Sequence, residues 1–134
     1  MRDLDHAGNL IIMARKDLTA LCAMYDPTSF AIEVFGFHVQ QAVEKALKAL
    51  LCCAGVAYPR IHDLDELARL LQQANQELPE GSRDLLAFTD FAVAFRYEGF
   101  PDIDAEVDRP ATVLRVTRLI EHVEKTIRRS SAGP

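Results

Sequence analysis

An all-α, up-and-down bundle of four to five helices is the fold this sequence predicts, and three observations predict it. Apolar residues recur at three- and four-residue spacing in several successive stretches. Proline and glycine punctuate those stretches at short intervals. No segment alternates apolar and polar residues as a half-buried strand would. The chain has 134 residues, a length that suits one domain with one good core, so residues 1–134 are read as a single domain with residues 129–134 as a frayed tail. A net charge of −5 argues against a strongly basic nucleic-acid clamp, though not against a local basic patch. No apolar run approaches the roughly 20 residues that span a bilayer, so no membrane association is expected. The N-terminal stretch carries early acids and lacks a signal-peptide pattern. Cys22, Cys52 and Cys53 are an odd set without CxxC spacing. They read as buried or half-buried thiols in a reducing cytoplasm, with neither a disulfide framework nor a zinc site.

The first helix is expected from Asp3 to Met24, with Leu4, Ile11, Ala14, Leu18, Leu21 and Cys22 on its apolar face and Arg15, Lys16 and Asp17 facing water. Asp26-Pro27 stops it, because a residue before proline is pushed out of the α region. Phe30 to Leu51 reads as the central helix, capped by Ser29 or Thr28. Phe35, Val39, Val43, Leu47 and Leu51 form an i, i+4 ladder that Ala42, Ala46 and Leu50 widen. Most of its circumference is therefore apolar, which calls for several neighbours or a subunit interface. At about 100° per residue, Gln40, Gln41, Glu44, Lys45 and Lys48 fall in one narrow polar stripe, with Phe37 inside it. Gly36 either costs the helix up to ~1 kcal/mol against alanine or permits close approach of another backbone. Gly55 suits a left-handed C-cap.

The third helix begins at Asp63, an N-cap, and Glu66 completes a capping-box-like pair. Leu64, Leu67, Ala68, Leu70 and Leu71 supply its apolar face. Pro79 and Gly81 mark the next break. A fourth helix is expected over about Ser82 to Phe95, with Leu85, Phe88, Ala92 and Phe95 at helical intervals and Leu86 and Phe91 beside them. A turn-rich loop with Arg96-Tyr97 follows. The last helix starts between Asp104 and Pro110 and buries Val113, Val116, Ile120, Val123 and Ile127. Arg128-Arg129 suit the negative end of its dipole, and the SSAGP tail is expected to fray.

The run Phe37-His38-Val39-Gln40-Gln41-Ala42-Val43-Glu44-Lys45-Ala46-Leu47-Lys48-Ala49 resembles the hallmark helix of HEPN domains, roughly F-x-x-Q-Q-A-x-E-K-x-L-K-A. His62-Asp63-Leu64-x-x-Leu67 resembles the family's H-D-L-x-x-L. Arg96-Tyr97, followed by Pro101, resembles its R-Y-P segment with an insertion. The resemblance implies a four- or five-helix bundle, usually a homodimer, with a polar and basic cleft near the dimer axis. It also implies a link to nucleotide or RNA transactions. Many bacterial members pair with a minimal nucleotidyltransferase as toxin and antitoxin. Several are metal-independent endoribonucleases that use an R-x(4–6)-H motif contributed by both subunits.

That motif is absent where the family would place it. Four to six intervening residues after Arg96 lead to Pro101, Asp102 and Ile103. Asp102 and Asp104 repel a phosphate. One spacing match lies deeper in the last helix, where six residues separate Arg115 from His122 and Arg118 shares their face. Such a trio could bind phosphate and supply a general acid–base group; the competing reading is a solvated polar face. The expected function is a HEPN-type module, nucleotide- or RNA-associated, without strong catalysis of its own. The alternatives are an RNase toxin and a purely structural adaptor.

The ligand-facing set is Gln40, Gln41, Glu44, Lys45, Lys48, His62, Arg96 and Tyr97. For the stripe, the competing reading is a solvated face with a Glu44–Lys48 pair worth a few tenths of a kcal/mol. Gln amides could instead read a base or ribose, with Lys45 or Lys48 on phosphate. Phe37 could stack on a base or serve as a core or interface aromatic. His62 reads either as a local loop hydrogen bond, to Asp65 or Glu66, or as a donor near the N-terminus of the third helix. Arg96-Tyr97 reads either as a pivot on an acid such as Glu33 or Glu44 or as a phosphate ligand. His6 and His38 have no partner at metal-ligand spacing, and no P-loop, GxGxxG or HExxH occurs. No metal or organic cofactor is expected.

Overall fold

The 19-residue first helix, α1 (Leu4–Cys22), opens a helical bundle in the computed structural model, which describes residues 2–92 and 107–132. The elements that follow are α2 (Ile32–Cys53), α3 (Leu64–Gln73), a short α4 (Ser82–Leu85) continued by a 3₁₀ segment (Leu86–Ala92), and α5 (Arg109–Ser131). There is no strand among the described residues. No helix among them is long and apolar enough to cross a membrane.

α1 is held at its start by Asp3, whose carboxylate accepts the His6 backbone N–H at 3.0 Å. Its expected core positions Ile11, Ala14, Leu18 and Leu21 are buried. Cys22 departs from expectation and is exposed, while Cys52 and Cys53 are buried; all three are free thiols. Burial pushes the Cys52 and Cys53 thiols up from their ordinary value. Asp17 also departs: it is half-buried against α2 instead of facing water.

α2 is the hub. It packs on α1, α3, α4, the 3₁₀ segment and α5. None of its residues is exposed, and Phe35, Val39, Val43, Leu47, Leu50 and Leu51 lie in the core. The broad apolar circumference is thus covered by the chain's own helices. Ser29 and Thr28 do not cap α2. Both hydroxyls instead donate to the Asp26 carboxylate, at 2.9 and 2.6 Å, and Ala31 takes the N-cap position without a side-chain bond. Gly36 admits a side chain, not a backbone: a Cβ there would meet the Phe91 ring at 2.3 Å.

Two C-terminal caps share one geometry. Gly55 (φ 72°) lies beyond α2, where Val56 N–H reaches the Leu51 carbonyl at 2.9 Å. Asn75 (φ 59°) does the same beyond α3, where Gln76 N–H reaches the Leu71 carbonyl at 2.9 Å. Both are Schellman motifs, with the left-handed position filled by the two residue types that tolerate it best. At the other end of α3, Asp63 accepts the Asp65 and Glu66 N–H groups as expected. Glu66 does not return to the cap; its carboxylate pairs with Arg69. The expected fourth helix is mostly 3₁₀, and Leu85, Leu86, Phe88 and Phe91 are buried along it. Phe95 lies outside the described residues.

α5 starts on an Asp108 cap, with Pro110 in the first turn. It buries Val113, Val116, Ile120 and Val123, with Ile127 half-buried. Leu119, Thr112 and Arg109 join the buried set without having been expected there. The helix runs to Ser131, past the point where fraying was expected, because the Ala132 N–H still reaches the Arg128 carbonyl at 3.0 Å. Arg15 on α1 clamps Glu124 on α5 through two bonds of 2.8 and 2.7 Å.

Candidate functional site

The polar stripe of α2 is an interior network with Glu44 at its centre. The Glu44 side chain is 8% exposed, and its carboxylate accepts His62 Nδ1 at 2.8 Å. It also accepts Lys48 Nζ at 3.0 Å and Gln40 Nε2 at 2.9 Å. Burial alone would raise its pKa. The bonds from Gln40, His62 and Lys48, with the Lys48 charge, outweigh that and hold the carboxyl below its ordinary value. Glu44 is therefore ionised, and every polar group facing it must donate.

Gln40 is fully buried and its amide is fully used. Nε2 donates to Glu44 and to the His62 backbone carbonyl at 3.0 Å, and Oε1 accepts Gln41 Nε2 at 2.7 Å. A buried polar chain of this kind is tolerated because its members are satisfied. The stripe is thus neither a solvated face nor an open cleft floor at Gln40 and Glu44. Both residues are committed to one another and to the loop before α3.

That loop delivers His62. Its backbone carbonyl accepts from Gln40 and, at 3.3 Å, from Thr89 Oγ1. The same Thr89 hydroxyl accepts the Leu64 N–H at 2.8 Å, so the 3₁₀ segment ties the α3 entry to α2. The His62 ring reaches back to Glu44, not to Asp65 or Glu66. Its side chain is 63% exposed, so one edge rests on a buried carboxylate and the other faces solvent.

Lys45 and Lys48 diverge. Lys48 stays with Glu44, and its ammonium lies 5.3 Å from the centre of the Tyr58 ring. Tyr58 in turn pairs through its hydroxyl with His6 Nε2 at 2.8 Å. Burial and the neighbouring Cys52 raise the Tyr58 pKa. Lys45 leaves the network and binds Asp17 Oδ2 at 2.7 Å. The other Asp17 oxygen holds His38 Nδ1 at 3.0 Å. Phe37, half-buried, sets its ring edgewise to His38, 5.6 Å between centroids. Arg96 and Tyr97 lie outside the described residues.

The structure does not bring Arg115, Arg118 and His122 together within one chain. Arg115 and His122 are two turns apart, about 10 Å along the axis. The Arg115 guanidinium turns toward Asp84, at 3.6 Å, and its stem packs on Gly81. Arg118 is exposed. His122 is half-buried against the α3–α4 loop, and burial lowers its pKa. The nearby charges of Arg129 and Lys125 add to that, while the Glu77 backbone carbonyl opposes it. No cluster of three or more potential metal ligands occurs among the described residues.

Several residues here were not legible as site components. Asp17, Thr89, Tyr58 and His6 enter only through contacts between segments distant in sequence. Arg109 is another: its guanidinium is buried, donates to the Met24 carbonyl at 2.8 Å and stacks 4.8 Å over Phe35. No apolar pattern signals that this cation enters the core.

Compared with known families, the chain matches the model described as HEPN domain over residues 7–131. Comparison with curated proteins and with solved structures gives no match.

Proposed function

The chain belongs to the HEPN domain family, and from that premise we propose that it is a nucleotide- or RNA-associated helical module whose ligand meets the His62 edge of the Glu44 network. One observation carries the reading. Gln40, Glu44 and Lys48 on α2 are spent on internal bonds, and their combined effect is to hold one solvent-facing imidazole in a fixed place. A stripe with only a structural task needs no exposed terminus. A recognition site needs a rigid one, because a pre-positioned group loses little freedom on binding.

The protein is a cytoplasmic homodimer, paired with a minimal nucleotidyltransferase in a toxin–antitoxin-like relation, and without strong catalysis of its own. Three free thiols are compatible with a reducing compartment. The dimer contact is assigned to α5 and α1, a reading supported by Leu114 and Ile12, which are exposed apolar side chains on those helices.

A panel of ribonucleotides tests this reading. Ligand present at about 100 times its Kd should stabilise the protein by about 2.7 kcal/mol, a melting shift of several degrees. His62→Ala should shrink that shift. No shift with any nucleotide or short RNA, together with a monomer by light scattering, would leave only the structural-adaptor reading.

A further inference from the structure

We propose that His62 reads a ribose 2′-hydroxyl, so that this site prefers ribonucleotides and RNA to their 2′-deoxy counterparts; the assignment rests on the nucleotide-associated reading above. It follows from which ring nitrogen carries the proton. Glu44 is an ionised acceptor, already taking hydrogens from Gln40 and Lys48. The 2.8 Å contact with His62 Nδ1 is a hydrogen bond only if Nδ1 is the protonated nitrogen. In the neutral ring Nε2 then holds a lone pair and no hydrogen. It has no partner among the described residues, and the side chain is 63% exposed.

The position of that lone pair is set twice. Nδ1 is fixed on Glu44, and the backbone carbonyl is fixed by Gln40 and Thr89, at 3.0 and 3.3 Å. A rigid, outward-facing acceptor selects a ligand group that can donate. Phosphate oxygens on a nucleotide carry no hydrogen to give it. A ribose 2′-hydroxyl does, and that group distinguishes RNA from DNA. Base amino groups also donate, but they differ from base to base; the 3′-hydroxyl of a free nucleotide donates too, but ribo and deoxy forms share it and it is esterified within a strand, so only the 2′-hydroxyl is carried by every ribonucleotide and missing from its deoxy counterpart.

The test compares ATP with dATP and UTP with dUTP, alongside matched short RNA and DNA oligomers and inorganic triphosphate. The wild-type protein should bind each ribo form about 3- to 10-fold tighter than its deoxy form, the range of one neutral hydrogen bond. His62→Ala should bring that ratio close to one and leave deoxy affinity nearly unchanged. His62→Gln, whose amide oxygen can accept, should retain part of the preference. Equal loss of ribo, deoxy and inorganic triphosphate binding in His62→Ala would make His62 a phosphate ligand and overturn the assignment. Tighter binding of both ATP and dATP than of UTP and dUTP, with no ribo preference within either pair, would point to the adenine amine and overturn it as well. Binding without any ribo preference removes this assignment alone, while no binding by any probe removes the nucleotide reading and the assignment together.

Discussion

Glu44→Ala should destabilise the protein by about 3 kcal/mol, the range found when one partner of a buried ion pair is removed. Three donors converge on this carboxylate, and they do not suffer equally. His62 is exposed and can turn its Nδ1–H to water. Gln40 is fully buried but keeps the His62 carbonyl as an acceptor for one amide hydrogen. Lys48 has nowhere comparable to go, because its side chain is only 12% exposed and its ammonium sits over the Tyr58 ring. Most of the cost is therefore a largely desolvated cation without its anion. Urea denaturation should show a lower midpoint with an unchanged slope. Glu44→Gln should cost less, since an amide oxygen still accepts. A loss below about 1 kcal/mol for Glu44→Ala would mean that water already reaches the network.

The same carboxylate sets a pH dependence. Its folded pKa lies below the ordinary glutamate value, so the unfolded state binds more protons in the interval between the two. Its contribution is present in full above that value and is lost as the pH falls through the folded pKa. The stability gap between wild type and Glu44→Gln should therefore narrow on acidification below about pH 4.

Gly36→Ala should also destabilise, by about 2 kcal/mol, although helix propensity alone predicts a gain of up to ~1 kcal/mol. The new Cβ would lie 2.3, 2.5 and 2.6 Å from Cδ1, Cε1 and Cγ of Phe91. Phe91 is buried beside Phe88, 5.6 Å between ring centroids, so the ring cannot simply swing into solvent. The 3₁₀ segment that carries Phe91 also carries Thr89, so forcing it outward should loosen the hold on His62. In a double-mutant cycle, Gly36→Ala combined with Phe91→Leu should lose less than the sum of the single changes. A more stable Gly36→Ala protein would show that the ring yields without cost.

The architecture was largely legible because it rests on short-range rules. Ile11, Ala14, Leu18 and Leu21 repeat at helical spacing and lie in the core. Asp63 caps α3 and Gly55 ends α2 for reasons confined to a few neighbouring residues. Where two local partners competed, sequence reasoning failed. Thr28 and Ser29 are good caps in isolation, but Asp26 takes both hydroxyls. The 3₁₀ character of Leu86–Ala92 was hidden, since i, i+3 spacing of apolar residues suits periods of 3.0 and 3.6 alike over so short a stretch.

The site was legible only as a stripe. Spacing placed Gln40, Glu44 and Lys48 on one face, but it could not say whether that face met water or protein. The answer depends on His62, which returns to Glu44 across 18 residues, and on Thr89, which reaches the His62 carbonyl across 27. Asp17 misled for a related reason. It sits at the edge of the α1 apolar stripe, and only the packing of α2 shows that Lys45 and His38 claim it.

The most direct measurement is a long-range nitrogen–proton NMR spectrum of the histidine side chains, recorded while a ribonucleotide is added. His62 should give the signature of a ring protonated at Nδ1 and bare at Nε2, and its Nε2 resonance should move upon titration while Glu44→Gln weakens the tautomer preference. A ring protonated at Nε2, or an Nε2 resonance that stays still while nucleotide binds elsewhere, would contradict the role assigned to the Glu44 network.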